Sequence, residues 1–322
     1  MRAVTYYQFG SPDNLKLEEI EKPIVKDNEV LIRVQAASVT PLDWHTLTGK
    51  PFLARLVIAG IFKPNYNVLG NDIAGEVEAV GKNFKQFQPG DEVFGTSFIF
   101  GGFAEYLSVP EDQTQLVLKP KNISFEEAAA VPNAGHVAVT CLRDLGQIQP
   151  GQKVLLNGAS GGVGTYAVQI AKAEGAEVTG VCSTKNLELV RSLGADRVID
   201  YTQEDFTQGK GQYDLIFDVS AKSSYSDCKQ ALTPDGVYVT TAFSPGLLLM
   251  SKWVSMTSNQ KLIPLPIKRP GKEDFLILKE LLETRKIKPF IDKRYKLREV
   301  PEALKYMGEG HTRGKIVVHV KE

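Results

Sequence analysis

Two periods of hydrophobic residues divide the chain near residue 124. Before that point, apolar and polar positions partly alternate in short segments: MRAVTYYQFG, LKLEEIEKP, EVLIRVQAASV, GEVEAVG, DEVFG and AEYLSVP. Alternation over such lengths, broken by turns such as QPGD at Gln88 to Asp91, predicts strands and a compact antiparallel or barrel-like domain. One stretch departs from this pattern. From Thr48 to Leu69 the chain is largely apolar and too short to cross a membrane, so it reads either as core or as an apolar wall or lid over a cleft. After residue 124 the period becomes helical in SFEEAAAVPNAGHVAVTCLRDL, with Ser124 placed to cap and Glu127 to complete a capping box. Strands and helices then alternate through KVLLNG, VGTYAVQIAKAEG, EVTGVCS, NLELVRSLG, RVIDY, DLIFDVS, SYSDCKQALTP and GVYVTT, the pattern of a doubly wound parallel sheet. The end of the chain predicts a helix from Lys272 to Lys286, a strand-like YKLREV, a short helix around Pro301 to Met307, and a last strand, KIVVHV, returning to the first domain.

The densest chemistry lies in Lys153 to Lys172, KVLLNGASGGVGTYAVQIAK. An apolar run opens into a glycine cluster and then into a helical pattern, which reads as strand, tight turn and helix. Ala159, Gly161 and Gly164 have the spacing of a dinucleotide fingerprint, and Ser160, Gly162 and Val163 complete the loop. The first N–H groups of the helix have no partner within it, and its dipole favours negative charge there, so a diphosphate satisfies both. The competing reading is a glycine-rich turn without a ligand. The β-branched strand at Glu177 to Val181 supplies the βαβ context that favours the nucleotide.

Composition narrows this without redirecting it. A length of 322 residues exceeds the usual single core and predicts two domains, and 43% hydrophobic with 24% charged residues is ordinary globular usage. Basic and acidic residues number 38 each, so net charge gives no reason to expect a nucleic-acid or anionic-membrane partner, although a local patch can hide in such a balance. No run spans a bilayer, the first ten residues lack a signal-peptide core, and a cytoplasmic protein is expected. Cys141, Cys182 and Cys228 are scattered and read as free thiols.

The stretches GASGGVGTYAVQIAKAEGAEV with SLGADRVIDY, and LGNDIAGEVEAVG with QPGDEVFG, followed by the closing TRGKIVVHV, resemble the zinc-free quinone oxidoreductase branch of the medium-chain dehydrogenase/reductase superfamily. The resemblance covers essentially the whole chain. It implies an α/β protein with a GroES-like β-rich catalytic domain over residues 1–124, completed by 268–322, and a Rossmann domain over 125–267 with the active site in the cleft. It also implies a homodimer and hydride transfer from NADPH to quinones, enones or alkenals. Where zinc-binding members carry their ligands, this sequence has Thr40-Pro41-Leu42-Asp43 and Gly70-Asn71-Asp72, so no metal is expected; the only nearby donors are His45, Asp43 and Asp72.

An NAD enzyme places an acidic residue at the end of the second Rossmann strand, and here that position is Ser183, with Lys185 beside it. A serine can donate to a 2'-phosphate and a lysine can neutralise it. The resemblance adds Tyr201 to that phosphate site. The same three residues also read as a cap, a solvated lysine and a strand-end aromatic. For catalysis, Thr40 stands where relatives carry Asn, and His45 and Tyr66 are the other candidate donors to the substrate oxygen. Asp43 reads as a structural acceptor and Trp44 as packing. In AGHVAVTCL, Val137 replaces a threonine common in relatives, with His136 before it. Two alternatives remain: an enoyl-thioester reductase, for which Lys50, Arg55 and Lys63 offer a basic patch, and an NADPH-binding sensor without turnover.

Overall fold

The structure is a computed structural model that describes residues 1–50, 60–267 and 269–321. The chain divides into two compact units, one of Met1–Asn133, Gly271–Glu283 and Pro289–Glu322, the other of Ala134–Pro270 and Thr284–Lys288.

The first unit carries a two-stranded ribbon of β1 (Arg2–Thr5) and β2 (Lys16–Glu19), and a larger sheet. That sheet is built on β3 (Glu29–Val39), which pairs antiparallel with β4 (Asp72–Val80), with β6 (Tyr106–Pro110) and with β15 (Lys315–His319). β5 (Glu92–Ser97) and β7 (Thr114–Leu118) extend it beyond β4, and β14 (Ile291–Lys296) closes the other edge parallel to β15. Residues of β3 are buried on both faces, because Val34, Ala37, Val39, Ile316 and Val318 share one core with Tyr6, Ile73, Phe100 and Phe103. Among the described residues, the helices of this unit are α1 (Pro41–Thr48), α2 (Phe125–Ala129), α8 (Lys272–Glu283) and α9 (Val300–Gly308). The YKLREV segment ends β14 and then tightens into a 3-10 turn, Leu297–Glu299, that leads into α9.

The helix predicted from Ser124 is interrupted. Its capping box forms between Ser124 and Glu127, but α2 stops before Pro132, which opens a separate helix, α3 (Pro132–Val139), followed by a π-helical turn at Thr140–Leu145. Proline lacks the N–H and crowds the preceding turn, so it starts helices more easily than it continues them.

In the second unit six strands, all parallel, run β10-β9-β8-β11-β12-β13: β8 (Lys153–Asn157), β9 (Glu177–Cys182), β10 (Arg197–Asp200), β11 (Tyr213–Asp218), β12 (Leu232–Thr240) and β13 (Lys261–Pro264). Counted from β8 the order is 3-2-1-4-5-6, which reverses between β8 and β11 and leaves a crevice at their carboxyl ends. Helices α4 (Gly162–Ala173), α5 (Leu187–Ser192), α6 (Tyr225–Cys228) and α7 (Pro245–Thr257) complete this unit.

Candidate functional site

The turn after β8 is held by the neighbouring strand. Gly158 adopts a left-handed conformation (φ 96°), and the N–H groups of Gly158 and Ala159 both donate to Val181 O, at 3.1 and 3.0 Å. The left-handed residue is thus Gly158, one before Ala159 of the fingerprint. Gly161 caps α4 without a side chain, and Thr165 N–H donates back to Gly161 O at 3.0 Å, so the first turn keeps unpartnered N–H groups. The glycines differ in what surrounds them. A Cβ on Gly164 would lie 2.1 Å from Gly158 O, whereas a Cβ on Gly161 would meet nothing closer than that same oxygen at 3.5 Å. Gly164 serves the contact of helix and strand. Gly161 borders open space at the positive end of a helix, which suits a diphosphate.

Ser183 follows β9, and Lys185 and Tyr201 are exposed at the same strand ends; Tyr201 N–H donates to Cys182 O at 3.1 Å. Asn186, which sequence reasoning passed over, joins the parts. It is nearly buried, and its Nδ2 donates to Ser160 Oγ at 3.1 Å and to Ser183 Oγ at 3.2 Å. The glycine turn and the end of β9 are therefore tied by one amide, whose buried Oδ1 has no partner. A carboxylate does stand one strand over, on Asp200. It accepts hydrogen bonds from Thr184 Oγ1 at 2.5 Å and from Thr202 N and Oγ1 at 3.0 and 2.8 Å; the Thr184 bond is the largest cause holding its carboxyl below the usual range.

The crevice where the sheet order reverses is floored by a polar cluster that has no simple motif. Asn157 Nδ2 lies 2.9 Å from Asp218 Oδ1 and within 3.1 Å of the Ser220 and Ser223 hydroxyls. Asp218 is fully buried and also accepts from Ser223 N at 3.1 Å, while Tyr238 OH stands 3.0 Å from its Oδ2. Burial, with Asp218 next, pushes the Tyr238 phenol up, so it stays a neutral donor. His136 is almost buried, its Nδ1 3.3 Å from Thr140 Oγ1. All three cysteines are buried free thiols, and burial raises Cys182 to about 11, too high for a reactive thiolate.

In the first unit the Thr40 to Asp43 spacing is a helix cap. Thr40 is fully buried; its N–H donates to Asp43 Oδ2 at 2.8 Å, and its hydroxyl lies 2.7 Å from the same oxygen and 2.9 Å from Asn71 Oδ1. Gly70 N–H donates to Asp43 Oδ1 at 2.8 Å. Burial pushes Asp43 up to about 6, against these hydrogen bonds and with the nearby Asp72 adding to the rise. Asp72 is also raised by burial, opposed first by Lys315, whose Nζ is 3.6 Å from Oδ2. Tyr6, in the same core, has a buried hydroxyl without a partner; burial and then Asp43 push it up.

His45 is exposed beside a hollow of about 460 Å³ lined with Trp44, Thr48 and Lys50. Its Nδ1 is 2.8 Å from Lys50 O, and since a carbonyl only accepts, Nδ1 carries the proton. Tyr66 is half-buried with its ring 5.2 Å from that of Phe100, and no hydrogen bond of its hydroxyl is found among the described residues. Thr40, His45 and Tyr66 thus have different surroundings: a buried cap, an exposed imidazole and an unbonded phenol. Of the basic patch, Lys50 and Lys63 are exposed, while Arg55, with residues 51–59 of the apolar stretch, lies outside the described residues. Among the described residues no three His, Cys, Asp or Glu side chains are grouped to hold a metal.

Residues 26–121 match the family described as alcohol dehydrogenase GroES-like domain, and residues 193–318 the family described as zinc-binding dehydrogenase. Over 99% of its length the chain is 36% identical to the chloroplastic quinone-oxidoreductase QR1 of Triphysaria versicolor, covering 98% of that protein. The chain belongs to the zinc-free quinone oxidoreductase branch of the medium-chain dehydrogenase/reductase superfamily. It is also 34% identical to the chloroplastic NADPH-dependent alkenal/one oxidoreductase of Arabidopsis thaliana, over 99% of this chain and 79% of that one. Among solved structures of the quinone oxidoreductase branch, that of the quinone oxidoreductase from Coxiella burnetii superposes with a TM-score of 0.86 at 28% identity, covering 100% of this chain and 99% of that chain. The two sheets are accordingly the GroES-like and Rossmann sheets of this branch, and the protein is an oxidoreductase that uses a nicotinamide cofactor.

Proposed function

We propose that this protein is an NADPH-dependent oxidoreductase that delivers hydride to quinones or α,β-unsaturated carbonyls without zinc. The observation that carries the reading is the turn at Gly158 to Gly164, with open space over Gly161 and uncapped N–H groups behind it. Ala159, Ser160, Gly161, Gly162, Val163 and Gly164 would hold the pyrophosphate. Ser183, Lys185 and Tyr201 would hold the 2'-phosphate, favoured by the absence of a carboxylate on Ser183 and by the engagement of Asp200 with Thr184 and Thr202.

The cofactor supplies the hydride; the protein orients, polarises and excludes water. Hydride on the β-carbon of an enone leaves negative charge on the carbonyl oxygen, which a donor stabilises. Tyr66 is our choice for that donor, because its hydroxyl has no other engagement among the described residues. His45, with Nδ1 held by Lys50, keeps Nε2 for proton exchange with solvent. Thr40 fixes the start of α1, the helix that carries His45. Three buried free thiols favour a reducing compartment, which we take as the cytoplasm, and the family resemblance adds a homodimer.

The test is steady-state NADPH and NADH oxidation with a panel of quinones, short enals and enoyl thioesters. NADPH should bind at least about tenfold tighter than NADH, roughly 1.4 kcal/mol, and Ser183→Asp should narrow or reverse the ratio. Equal affinities in the unaltered protein would remove the 2'-phosphate assignment. Turnover confined to enoyl thioesters would replace the acceptor class, and binding with no turnover would leave a nucleotide-binding protein.

A further inference from the structure

Asn186 stands at the start of α5 and does not cap it. An asparagine in that position ordinarily turns Oδ1 to the first N–H groups of its helix. Here the amide is turned the other way: Nδ2 donates to Ser160 Oγ at 3.1 Å and to Ser183 Oγ at 3.2 Å, while Oδ1 is buried without a partner. Ser183, for its part, makes no cap bond to the 3-10 turn Thr184–Asn186 that follows it. A buried oxygen left unpartnered is unfavourable, so neither capping nor packing accounts for an amide at this place.

What the amide does is fix the polarity of two hydroxyls. A serine has one hydrogen to donate, and an oxygen that already accepts from Nδ2 must turn that hydrogen elsewhere. Both serines are partly exposed, and neither hydrogen finds an acceptor among the described residues. Ser160 lies in the turn assigned above to the pyrophosphate, Ser183 at the strand end assigned to the 2'-phosphate. Both ligand groups are anions whose oxygens only accept, and a hydroxyl that donates to an anion makes one of the stronger hydrogen bonds. A carboxylate in place of Asn186 would accept from both serines and take up the very hydrogens that the phosphates need. A neutral amide with both of its donors spent on the serines leaves those hydrogens to the ligand.

We propose that Asn186 is a positioning residue of the nucleotide site: it aims Ser160 at the pyrophosphate and Ser183 at the 2'-phosphate, and so sets the preference for NADPH. This inference rests on the NADPH reading above. Dissociation constants for NADPH and NADH, measured by titration calorimetry without an acceptor, are compared for the unaltered chain, Asn186→Leu, Ser183→Ala and the double variant, together with melting temperatures of the free proteins. Asn186→Leu should melt no lower than the unaltered chain, because it removes an unpartnered buried oxygen and the two serines can turn to water. It should weaken NADPH by at least about tenfold and NADH by about threefold, since only NADPH engages both serines. Ser183→Ala should weaken NADPH, spare NADH, and cost clearly less when Asn186 is already leucine. A lower melting temperature of Asn186→Leu would make the amide a structural residue and overturn the proposal. So would an NADPH to NADH ratio that Asn186→Leu leaves unchanged, strictly additive losses in the double variant, or normal NADPH binding by Ser183→Ala. Equal affinities of the unaltered chain for the two nucleotides would remove the 2'-phosphate assignment and this inference with it, whereas a preference that survives Asn186→Leu removes this inference alone.

Discussion

The two units bury carboxylates in different ways. In the parallel-sheet unit Asp218 is surrounded by neutral donors from Asn157, Ser220, Ser223 and Tyr238, most of them within a few residues of the strand ends they serve. In the antiparallel unit Asp72 faces Lys315, contributed by the far end of the sequence, and Asp43 is held by hydrogen bonds from Thr40 and Gly70. The first arrangement is completed by the two strands that flank β11, Asn157 from β8 and Tyr238 from β12, and needs no cation. The second makes the state of a buried charge depend on assembly of the whole sheet.

The sharpest way to break this contrast is to remove the distant cation. Lys315→Met should destabilise the antiparallel unit by about 3 kcal/mol, because it leaves Asp72 buried without its counter-charge, and adding Asp72→Asn should restore most of the loss. Urea denaturation followed separately in each unit measures it; additive losses in the double variant would mean that the pair is not coupled.

Asp43 gives a pH signature. Its carboxyl is raised, so the folded state holds a proton that the unfolded chain releases. The stability this group contributes is therefore present below about pH 4 and lost as pH rises through about 6, by up to roughly 3 kcal/mol. Asp43→Asn should flatten that part of the profile. Identical slopes in the two proteins would show that the proton resides elsewhere.

In the parallel unit the smaller effects separate packing from binding. Gly164→Val forces a side chain against Gly158 O and should cost about 1 to 3 kcal/mol, visible as a lower melting temperature. Gly161→Val should leave melting almost unchanged yet weaken NADPH binding more than about tenfold. Normal binding by Gly161→Val would mean that the nucleotide does not cross this turn.

The parallel unit was the more legible of the two because each strand and its crossover helix are neighbours in sequence, so periodicity alone orders them. Spacing also marked the glycine turn, but not that Gly158 would take the left-handed conformation or that Asn186 would bridge Ser160 and Ser183, since an amide four residues past a strand carries no mark of its partners. Pro132 marks a break in the helical run from Ser124 that is legible in the sequence itself. In the antiparallel unit, a hydroxyl that caps a helix and one that meets a substrate look alike in sequence, and only the spacing of Thr40 and Asp43 hinted at the cap. No local pattern joins Asp72 to Lys315.

That pairing also orders events during translation. Strand β3 and Asp72 leave the ribosome on the order of tens of seconds before β15 is made, at ordinary elongation rates, while the parallel sheet is synthesised in between and can close first. Throughout that interval the edge of β3 awaiting residues 316–319 is open to pairing with any other strand.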